Sequence, residues 1–173
     1  DDKGLFHFCS NTLTTSSMAN TTSHAISLAK QADNLISFDV NLRHSLWLES
    51  KADKELVNDF VYLSDVIKFS KEELDFLAGE LPPIEYIKEC LSHCPSLVVV
   101  TNGGGDIEFF TKKHCGTEPS PIVKVVDTTA GGDAFTSGIL YGLSAAPSAK
   151  SIISDPEIIP LLIRFGAACG AVA

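Results

Sequence analysis

The chain has 173 residues, of which 45% are hydrophobic, and its formal net charge at pH 7 is −9. This length is sufficient for one domain with a buried core. The acidic balance argues against nucleic acid and against an anionic membrane surface as partners. No apolar run approaches the length of a membrane span and no signal peptide opens the chain. We therefore expect a soluble, cytoplasmic protein.

The five cysteines and five histidines give no sign of a disulfide framework or a metal site. The cysteines are odd in number and irregularly spaced. Cys90 and Cys94 lie one helical turn apart, but neither a second cysteine pair nor a His-x₃-His pattern completes a zinc site. We expect reduced, uncoordinated thiols, as in a cytosolic protein.

Short runs typical of buried strands alternate with longer stretches typical of helices along the whole chain. The predicted strands are Leu5–Phe8, Asn34–Val40, Val66–Phe69, Leu97–Thr101 and Ile122–Val126. The predicted helices are Ser23–Gln31, Lys54–Leu63, Lys71–Leu77, Ile84–Ser92, Ala134–Leu143 and Glu157–Cys169. Ile107–Thr111 follows a glycine run and indicates a hairpin at an antiparallel edge. The alternation predicts an open, mostly parallel sheet with helices on both faces.

Polar side chains follow the second predicted strand, in the stretch from Asp39 to Trp47. Open α/β sheets bind ligands at the carboxyl ends of their strands. Asn41 can donate and accept hydrogen bonds, and Arg43 offers a planar fork for an anionic or polyhydroxyl group. An alternative is a purely structural turn in which Asp39 and Asn41 cap loops and Arg43 pairs with Asp39.

Two further turns follow the next predicted strands. Ser70, with Glu73 three residues later, has the spacing of a capping box at a helix start. Thr101 is followed by Asn102 and by three glycines, Gly103 to Gly105, which indicate a flexible turn into the hairpin.

A turn of small residues precedes the predicted helix at Ala134 and ends in an acid, Asp133. Unpaired N–H groups at a helix start suit an anion, and small side chains let a phosphate approach the backbone. The amides from Ala130 to Gly132 are therefore candidate anion ligands. Asp133 either takes a proton from a hydroxyl or is an ordinary first-turn acid favoured by the helix dipole.

The sequence Asp-Thr-Thr-Ala-Gly-Gly-Asp-Ala-Phe at 127–135 resembles the C-terminal signature of the PfkB, or ribokinase-type, carbohydrate kinases, which more often reads Gly-Ala-Gly-Asp. The stretch from Asp39 to Trp47 is similar to the Asp-Pro-Asn-x-Arg…Leu-Trp motif of the fructokinase and 2-keto-3-deoxygluconate kinase branches, with Val40 at the proline. The resemblance implies a three-layer α/β/α ribokinase-like fold with a mostly parallel central sheet. Residues 1–173 would be the C-terminal portion of one kinase domain, without its first strands, lid and last strand.

The resemblance also implies roles for individual residues. Asp133 would be the catalytic base and would contact substrate, and Ala130, Gly131 and Gly132 would form the anion hole. Nucleotide contacts would come from Lys68, Ser70, Thr101 and Gly103, substrate contacts from Asn41 and Arg43, and an indirect organisation of magnesium from Glu73. Asp127 and Thr129 match positions that help hold a monovalent cation such as K⁺. The chain departs from the family pattern at Asp106, where a glycine is expected, and at Ala167, where Asn is frequent.

The implied function is ATP-dependent phosphorylation of a sugar primary hydroxyl with Mg²⁺, with fructose as the first choice of substrate. A 2-keto-3-deoxy sugar acid is the second choice, since Arg43 could bind a carboxylate. A non-catalytic nucleotide- or sugar-binding regulator on the same fold is an alternative of another class. A homodimer through the lid, common among such kinases, stays open.

Overall fold

The computed structural model describes residues 4–94, 96–124 and 130–173. The described strands form one sheet in the order β1 to β6. They are β1 Leu5–Cys9, β2 Leu35–Asp39, β3 Val66–Ser70, β4 Leu97–Thr101, β5 Ile107–Thr111 and β6 Cys115–Glu118. The pairs from β1 to β4 are parallel, and β5 and β6 add as an antiparallel edge. The expected mostly parallel sheet and the hairpin are confirmed.

The connections between the strands are mainly helical. The α-helices are α1 Ser16–Gln31, α2 Lys54–Leu63, α3 Lys71–Ala78, α4 Pro83–Ser92, α5 Gly131–Ala145, α6 Ala149–Ser154 and α7 Ile158–Val172. Short 3₁₀ turns occupy Ser10–Leu13, His44–Leu46 and Leu48–Ser50. Among the described residues, none of these helices combines the length and apolar character needed to cross a membrane.

Successive residues of a strand point to opposite sides of the sheet, so the sheet has two apolar faces. Helices cover both of them. Phe38, Ile67 and Val98 belong to the core that the sheet forms with α1 to α4. Val66 and Val99 belong to a second core, with α5 to α7. The molecule therefore has the expected three-layer α/β/α fold.

Helices α5 and α7 approach each other closely through glycines. A Cβ atom added to Gly138 would lie 2.9 Å from the Cα of Gly166, and one added to Gly170 would lie 2.8 Å from the carbonyl oxygen of Gly131. Only residues without a side chain permit this approach. The contact holds the first residue of α5 against α7.

Several boundaries differ from the sequence expectation. The predicted strand at 122–126 is wrong for Ile122 to Lys124, which are irregular, and Val125 and Val126 lie outside the described residues. The side chain of Ile122 is fully exposed. A β-branched run favours a strand only where it packs on a sheet. Helix α1 begins before the predicted Ser23, because the Thr15 side chain caps it by accepting from the Met18 N–H.

Strand β6 and helix α6 were not predicted. Strand β6 has the sequence Cys-Gly-Thr-Glu, which has little strand character of its own. Its pairing with β5 imposes the extended conformation. All five cysteines are free.

Candidate active site

The polar residues singled out in the sequence meet at the carboxyl ends of β2 and β3 and the amino end of α5. Asp39 ends β2 and lies beside Lys68 of β3 in the strand register. Asp133 lies in the first turn of α5, where its side chain is exposed. The Nδ2 of Asn41 donates to the Oδ1 of Asp133 at 3.4 Å. Three segments that are distant in the chain therefore form one cluster.

The amino end of α5 has the features of an anion site. The helix begins at Gly131 after Ala130, whose methyl group cannot cap the first-turn N–H groups. The carbonyl oxygen of Ala130 accepts from the Ala134 N–H at 2.9 Å, which starts the helical hydrogen-bond pattern. First-turn N–H groups lack intrahelical partners and carry the positive end of the helix dipole. Gly132 is exposed, so a ligand can approach this backbone.

The ammonium group of Lys68 lies in front of this helix end. A Cβ atom added to Gly132 would be 3.5 Å from the Nζ of Lys68. The Nζ donates to the Oδ1 of Asp39 at 3.1 Å, and both side chains are largely buried. The predicted nucleotide-contacting lysine and the predicted anion hole are therefore neighbours.

Asp39 contacts Lys68 and Thr136, and not Arg43, its partner in the alternative structural turn. Its Oδ1 binds Lys68, and its Oδ2 accepts from the Oγ1 of Thr136 at 2.8 Å. The alternative pairing of Asp39 with Arg43 is wrong, since Arg43 is exposed at the start of a 3₁₀ turn. The sequence analysis missed Thr136, although its position one helical turn after Gly132 was a signal that the two share a face of α5.

The loop after β2 is fixed by hydrogen bonds on several sides. Asn41 has a φ of 36°, in the left-handed region that Asn adopts more readily than most residues. Its carbonyl oxygen accepts from the buried hydroxyl of Ser10 at 3.1 Å. The N–H of Val40 donates to the carbonyl of Lys68 at 3.0 Å. These contacts direct the Asn41 amide towards Asp133.

Glu73 closes the predicted capping box and also holds the Asn41 loop. Its Oε2 accepts from the Ser70 N–H at 2.7 Å, and its own N–H donates to the Ser70 Oγ at 3.2 Å. Its Oε1 accepts from the Leu42 N–H at 2.8 Å. Burial raises the pKa of Glu73 above its usual value, and the N–H groups of Ser70 and Leu42 and the charge of Lys68 oppose that rise.

The contacts of Glu73 show whether its carboxylate is available to coordinate a magnesium ion. Both carboxylate oxygens of Glu73 already accept backbone N–H groups, so the side chain does not fit a direct ligand role. No group of three or more His, Cys, Asp or Glu side chains in the described ranges could hold a metal. The indirect role of Glu73 towards magnesium stays a prediction.

The predicted nucleotide turn lies at the end of β4, next to β3. Ser70 and Thr101 are partners in the strand register, and the Thr101 hydroxyl donates to the carbonyl of Phe69 at 3.3 Å. Gly103 has a φ of 53°, and a Cβ atom there would meet nothing within 4 Å. The turn is therefore unobstructed at the carboxyl end of β4, and the nucleotide contacts of Ser70, Thr101 and Gly103 stay predictions.

His7 is a site neighbour that the sequence analysis did not single out. It pairs with Ser37 in the strand register, and its Nδ1 lies 3.1 Å from the Ser37 hydroxyl. Burial lowers the pKa of His7, against the opposing effect of the Asp39 and Asp133 carboxylates. The predicted K⁺ ligands Asp127 and Thr129 lie outside the described residues.

Two solved structures of similar overall shape are fructokinases with a bound nucleotide. The fructokinase of Xylella fastidiosa with bound ATP superposes with a TM-score of 0.93 and 34% identity, over 98% of this chain and 54% of its own. A double mutant of the fructokinase of Vibrio cholerae O395, in a fructose, ADP and potassium ion bound form, gives a TM-score of 0.88 and 33% identity, over 100% of this chain and 55% of its own.

Sequence comparison points the same way. The chain is 34% identical over 172 residues to the probable fructokinase-7 of Arabidopsis thaliana, which covers 97% of this chain and 49% of that protein. The chain thus spans about half the length of the curated relatives it matches. The family model described as pfkB family carbohydrate kinase matches residues 3–173. The chain therefore belongs to the pfkB family of carbohydrate kinases.

Proposed function

We propose that the full-length protein transfers the γ-phosphoryl group of ATP to a primary hydroxyl of a sugar. One observation carries this proposal: the exposed acid Asp133 lies in the first turn of α5, with the Lys68 ammonium beside the same helix end. An acid is unfavourable next to an anion site unless it has a task there, and accepting a hydroxyl proton is such a task.

The chemistry of transfer needs positioning and charge stabilisation more than covalent participation by the protein. Asp133 accepts the proton of the sugar hydroxyl while the oxygen of that hydroxyl bonds to the γ-phosphorus. The bond from that phosphorus to the bridging oxygen breaks, and ADP leaves. The first-turn amides from Ala130 to Gly132 and the Lys68 ammonium stabilise the charge that develops on the phosphoryl oxygens. Asn41 orients Asp133 through its side-chain amide.

A divalent cation bound to the ATP phosphates would supply further charge neutralisation. Glu73 contributes by holding the backbone of Ser70 and Leu42, which border the site. This accounts for an indirect part in the magnesium network without direct coordination.

Fructose is the proposed substrate. Fructose and ADP are bound in the Vibrio cholerae kinase named above, and the sequence relatives carry fructokinase names. Asn41 contacts Asp133, and the exposed Arg43 follows it by two residues in the chain, so both are proposed polyol contacts. A 2-keto-3-deoxy sugar acid is the second candidate, because the exposed Arg43 guanidinium suits a carboxylate.

The test is Asp133→Asn in the full-length protein. ADP release is measured with fructose, ribose, 2-keto-3-deoxygluconate and adenosine, and ATP binding is measured by calorimetry. Loss of a positioned base should lower kcat on the order of 10²–10⁴-fold while ATP binding persists. Asp59→Asn is the matched control, because Asp59 is an exposed acid on α2, in the opposite helix layer.

Each result has a distinct meaning. Near-wild-type turnover by Asp133→Asn contradicts the mechanism. ATP binding by the wild-type protein without turnover on any sugar contradicts the kinase assignment and supports a nucleotide-binding regulator.

A further inference from the structure

The carboxylate of Asp39 is buried at the site although neither the proposed reaction nor its ligands need it directly. Its residue is 2% exposed, and Thr136, which donates to it, is 5% exposed. Buried carboxylates are costly unless paired and hydrogen-bonded. Here one oxygen accepts from Lys68 and the other from Thr136, so both oxygens have partners.

A negative charge at this place is unfavourable for phosphate binding. Lys68 is the cation that faces it, and the pair has no net charge. The contribution of Lys68 must therefore come from where its ammonium lies rather than from added positive charge. An ammonium has three donors, so one can bind Asp39 while the others remain available for an anion.

Thr136 connects this pair to the helix that forms the anion site. It lies four residues after Gly132, one turn along the same face of α5. The helix end that supplies the amides thus also fixes the carboxylate, and the carboxylate fixes the ammonium. A lysine side chain has several rotatable bonds, and a hydrogen-bonded partner of fixed orientation restricts them.

We propose that Asp39 and Thr136 are positioning residues that hold the Lys68 ammonium against the amino end of α5, in place for the phosphoryl group during transfer. The proposal rests on the proposed kinase activity. It assigns to these two residues an effect on kcat that is exerted through Lys68.

The first test compares three threonine variants of the full-length protein. Thr136→Val removes the hydroxyl and should lower kcat about tenfold, as expected for the loss of a hydrogen bond to a charged group. Thr136→Ser keeps the hydroxyl and should restore kcat. Thr22→Val is the matched control, because Thr22 is similarly buried and donates to the carbonyl of Thr12 in a different part of the fold.

The second test asks whether the effect passes through Lys68. In a Lys68→Met background, Thr136→Val should cause no further loss of kcat, because the group it positions is gone. A full additional loss there would overturn the proposal. So would a Thr136→Val enzyme with wild-type kcat, or a Thr136→Ser enzyme as slow as Thr136→Val.

The third test separates positioning from folding and from the proposed activity. Asp39→Asn releases the Lys68 ammonium, so kcat should fall, and in the Lys68→Met background it should cause no further loss. Asp65→Asn, just before β3 at the other end of the strands, should leave kcat unchanged. A wild-type kcat in Asp39→Asn overturns the proposal. If the wild-type protein turns over no sugar, the proposed function fails, and calorimetry of ATP binding then decides this inference: Thr136→Val should weaken binding in the wild-type background but not in Lys68→Met, and an equal effect in both backgrounds overturns it.

Discussion

Asn41 donates a 3.4 Å hydrogen bond to Asp133, although 92 residues separate them in the chain. The distance is long for a side-chain hydrogen bond. Catalytic contacts are often loose before the substrate binds and shorten in the reacting complex. The left-handed backbone of Asn41 and the hydrogen bonds of its loop direct the amide towards the acid.

Two substitutions of Asn41 should separate orientation from charge. Asn41→Gly keeps the left-handed backbone and removes the amide, so we expect a moderate fall in kcat with an unchanged pH–rate profile. Asn41→Asp places a second carboxylate beside Asp133. Two neighbouring carboxylates are difficult to ionise together, so the acid limb of the profile should move to higher pH. The measurement is kcat from pH 5 to pH 9, and identical profiles for the two variants would contradict this role.

Gly132 keeps the space between the Lys68 ammonium and the backbone of α5 open. In Gly132→Ala the new methyl group would be 3.5 Å from Nζ, an ordinary contact that requires no rearrangement. Alanine also favours the helix over glycine. We therefore expect unchanged or higher stability together with a fall in kcat of about 10- to 100-fold, because the methyl group occupies the path of the phosphoryl oxygens.

Thermal unfolding and steady-state kinetics of Gly132→Ala check this expectation. The control is Gly142→Ala, in the same helix but remote from its amino end. Equal kinetic losses in both variants would show that the effect is a general one on α5.

Local rules predicted the elements of this fold well and its long-range contacts poorly. The spacing of Ser70 and Glu73 gave the capping box, because a helix start involves only neighbouring residues. The contact of Thr136 with Asp39 joins residues 97 apart, and that of Glu73 with Leu42 joins a helix start to another strand's loop. No periodic pattern in the sequence indicates which residues far apart in the chain will be in contact. The strand predicted at Ile122 was wrong because this β-branched side chain is exposed and does not pack on the sheet.

Adjacent glutamates at the start of α3 should give opposite pH dependences of stability. Burial raises the pKa of Glu73, whereas the N–H of Glu72 itself and the Ser70 side chain lower the pKa of the exposed Glu72. For Glu73 the folded state holds its proton more tightly than the unfolded state. Its contribution to the free energy of unfolding is therefore greatest below its unfolded pKa of 4.5 and falls as pH rises through the raised value.

For Glu72 the sign is reversed, and its contribution is present above pH 4.5 and is lost as pH falls through the lowered value. Urea unfolding of the wild type, Glu73→Gln and Glu72→Gln from pH 3 to pH 7 measures both. The wild type should lose stability relative to Glu73→Gln as pH rises above 4.5. It should gain stability relative to Glu72→Gln as pH rises towards 4.5. Parallel curves for the three proteins would rule out these assignments.

The close approach of α5 and α7 should make Gly138 intolerant of a side chain. In Gly138→Ala the added methyl carbon would be 2.9 Å from the Cα of Gly166 and 3.0 Å from the Sγ of Cys169. Since a backbone atom is one of these obstacles, the helices must move apart. We expect a loss of about 1–3 kcal/mol in the free energy of unfolding, the usual range for overpacking.

Gly142→Ala is the control. Its new methyl group meets only the end of the Leu162 side chain, which can rotate away, so its loss of stability should be smaller. Chemical denaturation of both variants measures the difference. Because α7 also contacts the first residue of α5, Gly138→Ala should lower kcat more than Gly142→Ala does. Equal stability of the two variants would mean that the helix pair adapts without separating.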